Sequence, residues 1–137
     1  MKHDPLTVFT EWEGPLGTMI LAATPRGLSG AWFDGQRHEP DTSAWRLDPA
    51  HPVLREAIQQ LSHYFAGQRS SFDLPLDLDQ GTDFQRSVWQ ALLTIPVRAS
   101  LSYGALARQI GRPAAVRAVG AAVGRNPLGI IVPCHRV

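Results

Sequence analysis

The apolar residues of this 137-residue chain change their spacing once, and that change limits the possible folds. Between residues 7 and 33, apolar and polar side chains alternate or form short apolar runs between Gly and Pro turns, which is typical of β-strands. From residue 52 onward, apolar side chains recur every three or four residues, as they do along one side of a helix. The chain is therefore predicted to have an α/β (α+β) fold, with an antiparallel sheet first and helices later.

Three strands are expected at residues 7–12, 19–22 and 28–33, and the turns between them predict an antiparallel meander. Residues 34–51 are polar and are predicted to form a loop. Residues 72–78 fit one more strand, which Pro75 would confine to a sheet edge. Nothing in residues 1–81 looks catalytic, and its scattered acids are interpreted as a solvated surface. Between these segments, a helix is predicted from Pro52 to Gly67, and its core-facing stripe is Val53, Leu54, Ala57, Ile58, Leu61, Tyr64 and Phe65.

Three further helices are predicted after residue 81. The run Thr82-Asp83-Phe84-Gln85 matches a capping box, so the first of them begins there, and it stops before Pro96. The second is expected over residues 103–110 and the third over 114–123, with Gly111-Arg112-Pro113 as the turn between them. The apolar positions of the third helix predict that Val116, Val119 and Val123 are buried. This helix-turn-helix at about 103–123 is a common DNA-binding arrangement, although many helical hairpins bind nothing.

The opposite face of the third helix carries small side chains, with one long exception, Arg117. Its other residues are Ala114, Ala115, Ala118 and Ala121. A major-groove reader needs several polar side chains that reach base edges, and this face lacks them. The pattern fits two interpretations equally: close approach to a narrow groove with Arg117 inserted, or close packing against another helix.

Charge is distributed unevenly along the chain. Residues 1–81 carry six Lys or Arg against eleven Asp or Glu, whereas residues 82–137 carry seven Arg against one acid, Asp83. Their net charges are therefore −5 and +6. A basic half joined to an acidic half indicates that the basic half meets a polyanion.

The only cysteine, Cys134, lies between an apolar-Pro segment and a histidine, in Ile130-Ile131-Val132-Pro133-Cys134-His135. A lone cysteine in such a setting is commonly a small buried apolar residue, but a nearby base would make it a nucleophile. Side chains of adjacent residues on a strand point to opposite faces, so His135 would need a turn or a bridging water to reach the sulfur. One cysteine excludes an internal disulfide, suits a reducing cytoplasm and leaves no expected metal site.

These features together resemble the O6-alkylguanine-DNA alkyltransferases, the methylated-DNA–protein-cysteine methyltransferases. The resemblance covers the whole second half and is most specific in its last residues. The first half resembles the ribonuclease-H-like domain of that family, and the second its winged-helix-like domain, so the expected domains are 1–78 and 79–137. The matching residues are Phe84-Gln85, Val88-Trp89, Ser102-Tyr103-Gly104, Leu106-Ala107, Arg117-Ala118-Val119-Gly120-Ala121, Asn126-Pro127 and Pro133-Cys134-His135-Arg136-Val137.

The resemblance implies a mechanism and a role for each matched residue. Such proteins repair O6-alkylguanine, and also O4-alkylthymine, in double-stranded DNA by an irreversible, single-turnover transfer of the alkyl group to cysteine. They bind the minor groove and flip the damaged base into a pocket. The implied roles are nucleophile for Cys134, proton acceptor for His135, DNA contact for Gln85, Tyr103, Arg112 and Arg117, base pocket for Tyr103, Cys134 and Val137, and active-site support for Asn126 and Arg136. No cofactor, metal or membrane is implied, and we expect a cytoplasmic monomer.

Two departures from the family pattern modify this expectation. Arg98 stands where the family usually has glycine. Family members also continue beyond the last motif with a loop, a carboxylate that orients the histidine and a final helix, and the printed sequence stops at Val137. We therefore expect this chain alone to be slow, unstable or inactive. The alternatives are a module that binds alkylated DNA without transfer and a thiol hydrolase that uses Cys134 and His135, although the latter would not explain the helix of Arg117.

Overall fold

The structure, a computed structural model, describes residues 4–36, 39–96 and 99–133. The chain divides into two compact units, Met1–Gln80 and Gly81–Val137. Within the described residues, the first unit holds four strands and a helix, and the second holds three helices. None of these helices has both the length and the apolar composition needed to cross a membrane.

Strands β1 (Val8–Gly14), β2 (Gly17–Thr24) and β3 (Gly27–Phe33) form the predicted antiparallel meander. The prediction of a loop over 34–51 is wrong at Arg46–Leu47, which form β4 and pair in parallel with β1. Both residues of β4 are exposed, so no apolar pattern marks them. The sheet order is β3-β2-β1-β4.

Helix α1 (Pro52–Phe65) covers one side of this sheet, as its apolar stripe predicted. Its largest fully buried side chains, Leu54 and Leu61, belong to the buried core together with Met19 and Leu21 of β2. Burial of side chains of this size stabilises the fold by roughly 1.5–3 kcal/mol each. The stripe did not indicate Gln60, which is buried because its amide exchanges two hydrogen bonds of 2.9 Å with the backbone of Asp73.

An aromatic cluster covers the other side of the sheet. Trp32 of β3 packs with Ile20 and Ala22 of β2, and Phe9 of β1 and Trp45 complete the cluster. The ring centroids of Trp32 and Trp45 are 5.9 Å apart. Both faces of the sheet are thus shielded from water, one by a helix and the other by aromatic rings.

The segment after α1 does not form the predicted strand over 72–78. It makes one isolated bridge, between Leu28 and Leu76, because Pro75 has no N–H to donate to a longer ladder. The Pro75 carbonyl accepts from Leu28 N at 2.8 Å, and Asp77 N donates to Leu28 O at 2.8 Å. Gly27, at a φ of 145°, permits this approach, since a Cβ there would lie 2.5 Å from the Pro75 oxygen.

Asp77 contradicts the interpretation of all acids in the first unit as solvated surface. Its side chain is fully buried, where Oδ2 accepts from Thr24 Oγ1 at 2.6 Å and from Arg26 Nε at 3.3 Å. Oδ1 accepts from the N–H of Asp79 at 3.0 Å. Burial raises the pKa of Asp77, but these hydrogen bonds and the charge of Arg26 outweigh burial, so the pKa lies below its ordinary value.

The second unit contains α2 (Asp83–Leu92), α3 (Tyr103–Gln109) and α4 (Val116–Gly124). The predicted capping box at the start of α2 is confirmed. Gly111 ends α3 as predicted, with a φ of 77°, and the bonds from its own N–H to Arg108 O and from Arg112 N to Ala107 O complete a Schellman turn.

Helix α4 begins two residues later than predicted, and one of its expected core residues is exposed. Residues 113 and 114 belong to the turn, and Ala115 is the N-cap. Val119 and Val123 are buried as expected, but Val116 is 39% exposed because it is the first helical residue, at the open end of α4.

We predict that Asp77→Asn lowers the free energy of unfolding at pH 7 by about 1–3 kcal/mol, since it weakens a buried, charge-assisted hydrogen-bond network. Because the folded-state pKa of Asp77 is depressed, its contribution is present above the unfolded pKa of ~3.9 and is lost as the pH falls through the folded value. Urea unfolding from pH 7 to pH 3 should therefore show the difference from wild type shrinking below pH ~4. Asp34→Asn, at an exposed position after β3, is the control, and a constant difference over this range would contradict the prediction.

Candidate nucleic-acid interface

The small face of α4 is open in the structure. Arg117, Ala118 and Ala121 are exposed, whereas Val119, Ala122 and Val123 on the other side of the helix are buried. Among the described residues, no helix or strand buries the small face. Within the described residues, the interpretation of close packing against another helix is therefore not supported, and the small face is accessible to a partner.

Tyr103 lies beside this face. Ser102 caps α3 by accepting a hydrogen bond from Ala105 N at 3.0 Å, which fixes the first turn that carries Tyr103. The Tyr103 ring lies 3.6 Å from the point that a Cβ on Gly120 would occupy, and the residue is 45% exposed. Because Arg117 and Gly120 are three residues apart on α4, they share one helix face. Tyr103 and Arg117 consequently lie on the same side of the second unit.

Trp89 fixes the position of α4 against α2. Its fully buried indole N–H donates to the carbonyl oxygen of Ala122 at 2.8 Å. The ring is so close to the start of the unit that a Cβ on Gly81 would lie 2.4 Å from it. This contact turns the buried side of α4 inward and leaves the Arg117 side outward.

Asn126 braces the loop that follows α4. Its buried side chain accepts from Leu128 N at 3.0 Å and donates to Val132 O at 2.9 Å and to Leu128 O at 3.4 Å. A backbone bond from Val132 N to Leu128 O, 2.9 Å long, closes the same loop. The chain is thereby held in one path up to Pro133, the residue before Cys134.

Ile130, inside this braced loop, has a backbone conformation that β-branched residues rarely adopt. Its φ is 72°, in the left-handed region. Such a residue costs about 1–3 kcal/mol and persists where its surroundings impose it. The hydrogen bonds of Asn126 and the burial of Leu128 and Val132 on either side provide that constraint.

Positive charge on the second unit is largely uncompensated. Asp83, the only acid after residue 81, pairs with Arg86. Within residues 81–96 and 99–133, no ion pair involves the exposed arginines, which are Arg108, Arg112, Arg117 and Arg125. An exposed surface of this kind attracts polyanions.

The structure brings some of the predicted site residues together. Tyr103 and Arg117 share a side of the unit, and Arg112 is exposed on the turn between α3 and α4. Gln85 is half-buried at the start of α2, where its Oε1 accepts from Thr82 N at 3.0 Å. Cys134, His135, Arg136, Val137 and the departure at Arg98 lie outside the described residues.

Sequence reasoning missed the space around two glycines of the second unit. The Tyr103 ring lies beside Gly120 and the Arg108 side chain lies beside Gly104, each at ordinary contact distance from the point that a Cβ would occupy. The four-residue spacing of Gly104 and Arg108 on one helix was the available signal, because side chains four residues apart are neighbours.

Both units match known domains. Residues 83–137 match the model of the 6-O-methylguanine DNA methyltransferase DNA-binding domain, and residues 8–78 match the model of the ribonuclease-like domain of the same family. The two matches define a methyltransferase that has a ribonuclease-like first domain and a DNA-binding second domain. The chain belongs to the 6-O-methylguanine DNA methyltransferase family.

Similar proteins support this assignment. A methylated-DNA–protein-cysteine methyltransferase of Mycobacterium tuberculosis is 49% identical over 125 residues, which are 91% of this chain and 74% of that protein. A constitutive enzyme of the same name from Bacillus subtilis is 44% identical over 138 residues, covering 96% of this chain and 81% of its own. The crystal structure of Mycobacterium tuberculosis OGT in complex with DNA has a TM-score of 0.87 at 47% identity, covering 95% of this chain and 77% of that one.

We predict that Asn126→Ala lowers the free energy of unfolding by about 2–4 kcal/mol, since it removes a buried side chain that bonds one N–H and two carbonyl groups. Asn126→Asp separates the two roles, because it keeps the acceptor for Leu128 N but presents a carboxylate to the Val132 carbonyl. Urea unfolding should rank Asn126→Asp as clearly destabilised too. Wild-type stability in the Asp variant would show that the bond to Val132 contributes nothing.

Proposed function

We propose that this protein repairs alkylated DNA by transferring an alkyl group from O6 of guanine to Cys134. The observation that carries the proposal is the arrangement of the second unit, in which the exposed Arg117 face of α4 runs directly into a braced loop that leads to Cys134. Membership of the 6-O-methylguanine DNA methyltransferase family supports the same reaction. O4-alkylthymine, which also carries an alkyl group on an exocyclic oxygen, is proposed as a second substrate.

The chemistry is a displacement at the alkyl carbon. The thiol of Cys134 gives its proton to His135 through a water, and the thiolate attacks the alkyl carbon. A carbon–sulfur bond forms as the carbon–oxygen bond breaks, and guanine keeps the electron pair and takes up a proton. The thioether does not revert, so each molecule reacts once. Guanine oxygen is a poor leaving group, and a dry, aligned pocket is therefore needed.

DNA recognition is assigned to the second unit. Arg117 would enter the stack from the minor groove and replace the flipped base, while the small neighbours on α4 let the backbone approach closely. Tyr103 would turn the phosphate of the flipped nucleotide and border the base, together with Cys134 and Val137. Arg112 and Gln85 would contact the DNA backbone.

The remaining site residues support the reactive loop. Asn126 would fix the backbone that leads to Cys134, and Arg136 would support the active site around that cysteine. The mechanism needs a free thiol and one DNA-binding unit, so we propose that the protein acts as a monomer in the reducing cytoplasm. The domain division that this scheme uses is 1–78 and 79–137.

We predict that incubation with a duplex containing one O6-methylguanine increases the intact mass of the protein by one methyl group in place of hydrogen. The reaction should stop at one equivalent, because the thioether blocks the nucleophile. Intact-mass spectrometry measures the gain, with Cys134→Ala as the control. No gain, despite DNA binding that weakens with salt, would instead indicate a module that binds alkylated DNA without transfer. Repeated turnover of an ester would indicate a hydrolase.

We predict that Arg117→Ala slows transfer from paired DNA by roughly 10- to 100-fold. Without Arg117, no side chain fills the gap that the flipped base leaves in the base stack, and opening this stack costs a few kcal/mol. Transfer from the free base O6-methylguanine should be nearly unchanged, because no base has to be flipped. The matched control is Arg125→Ala, which removes the same charge at the other end of α4. Rates measured by mass spectrometry on both substrates test this, and equal losses for the two variants would contradict the insertion role.

A further inference from the structure

Arg108 is an exposed arginine on α3, and its side chain lies over the first turn of the helix. One of its terminal guanidinium nitrogens lies 3.7 Å from the point that a Cβ on Gly104 would occupy. The side chain therefore runs back along the helix toward the first turn, in the direction that helical side chains prefer. A long side chain at position 104 would compete for this space, and glycine leaves it free.

The charge of Arg108 has no protein partner in the part of the chain that the structure describes. Arg108 is exposed, and the single acid of the second unit, Asp83, pairs with Arg86. No hydrogen bond joins the Arg108 guanidinium to the described residues. The Arg108 guanidinium thus lies over the first turn of α3 without an acid to pair with among the described residues of the second unit.

The location of this cation points to its partner. Gly104 follows Tyr103, whose ring packs beside Gly120 on the exposed face of α4 that carries Arg117. The Arg108 guanidinium accordingly lies at the same end of α3 as Tyr103. Arg108 and Tyr103 are five residues apart and therefore lie on different faces of α3, but a duplex that contacts Tyr103 would have backbone phosphates near this end of the helix.

We propose that Arg108 binds a phosphate of the DNA backbone next to Tyr103, in the space that Gly104 leaves free. The proposal rests on the proposed function and adds a backbone contact to it. A guanidinium forms bidentate hydrogen bonds with phosphate oxygens, and such contacts set affinity and register without reading sequence. Arg108 is thus a positioning residue and takes no part in the transfer itself.

The first test measures how the affinity for an unmodified duplex depends on salt. Loss of one phosphate contact reduces the slope of log affinity against log salt by about 1 and weakens binding roughly three- to tenfold at moderate salt. Arg108→Ala should show both effects on duplexes of different sequence, and Arg108→Lys should keep most of the slope. Arg55→Ala, an exposed arginine of α1 in the first unit, is the charge-matched control and should behave as wild type.

The second test uses Gly104 to move Arg108 without removing its charge. Gly104→Leu would displace the guanidinium and should reproduce the weakened binding of Arg108→Ala. Gly104→Ala is the matched control, because its Cβ would make only an ordinary contact of 3.7 Å. If the two positions act through one contact, adding Gly104→Leu to Arg108→Ala should cause no further loss.

The outcomes separate this inference from the proposed function. Wild-type protein that transfers the methyl group, together with an Arg108→Ala variant that keeps the wild-type salt slope, would overturn the phosphate contact alone. Wild-type protein that neither transfers nor binds duplex DNA would overturn both proposals. A reduced slope with an unchanged transfer rate at saturating DNA supports Arg108 as a positioning residue, whereas a slowed rate at saturation would contradict that role.

Discussion

The hydrogen bond from the indole N–H of Trp89 to the Ala122 carbonyl determines how the second unit presents α4. A buried donor of this kind costs about 1–3 kcal/mol when it is left unpaired, so the indole and the helix are tied to one relative position. The ring needs the space at Gly81, and the capping box of Thr82 and Gln85 starts α2 immediately after that glycine. The outward direction of Arg117 follows from these inward contacts.

The loop that leads from α4 toward Cys134 takes its position from the same helix. Asn126 follows the C-cap of α4. Its hydrogen bonds to Leu128 and Val132 fix the chain that precedes Cys134 relative to the end of this helix. The left-handed backbone of Ile130 shows that this path is imposed by its surroundings, since the residue would not adopt it alone. The position of α4 and the path of the chain toward Cys134 are therefore coupled.

The sequence predicted those features that local chemistry controls. The capping box at Thr82, the Schellman glycine at Gly111 and the meander of β1 to β3 each depend on a few neighbouring residues, and each is confirmed. Features that depend on distant partners were not predictable from pattern. Polar Gln60 is buried by the backbone of Asp73, and the two exposed residues of β4 pair through their backbone alone.

The residues of the candidate site show the same difference between features that the local sequence predicts and features that only the structure shows. Arg117 could be singled out because it is the one long residue on a helix face of alanines, whereas Arg108 was not, because only the structure shows its guanidinium over Gly104. Exposed arginines without acids repel one another in the free protein, and bound phosphates would relieve that repulsion. A ligand that binds only the folded state stabilises it, so the charges that weaken the free second unit would stabilise its complex with DNA. Under the proposed function, stability and DNA affinity are opposed in these arginines, and the buried contacts of Trp89 and Asn126 stabilise the unit in spite of this opposition.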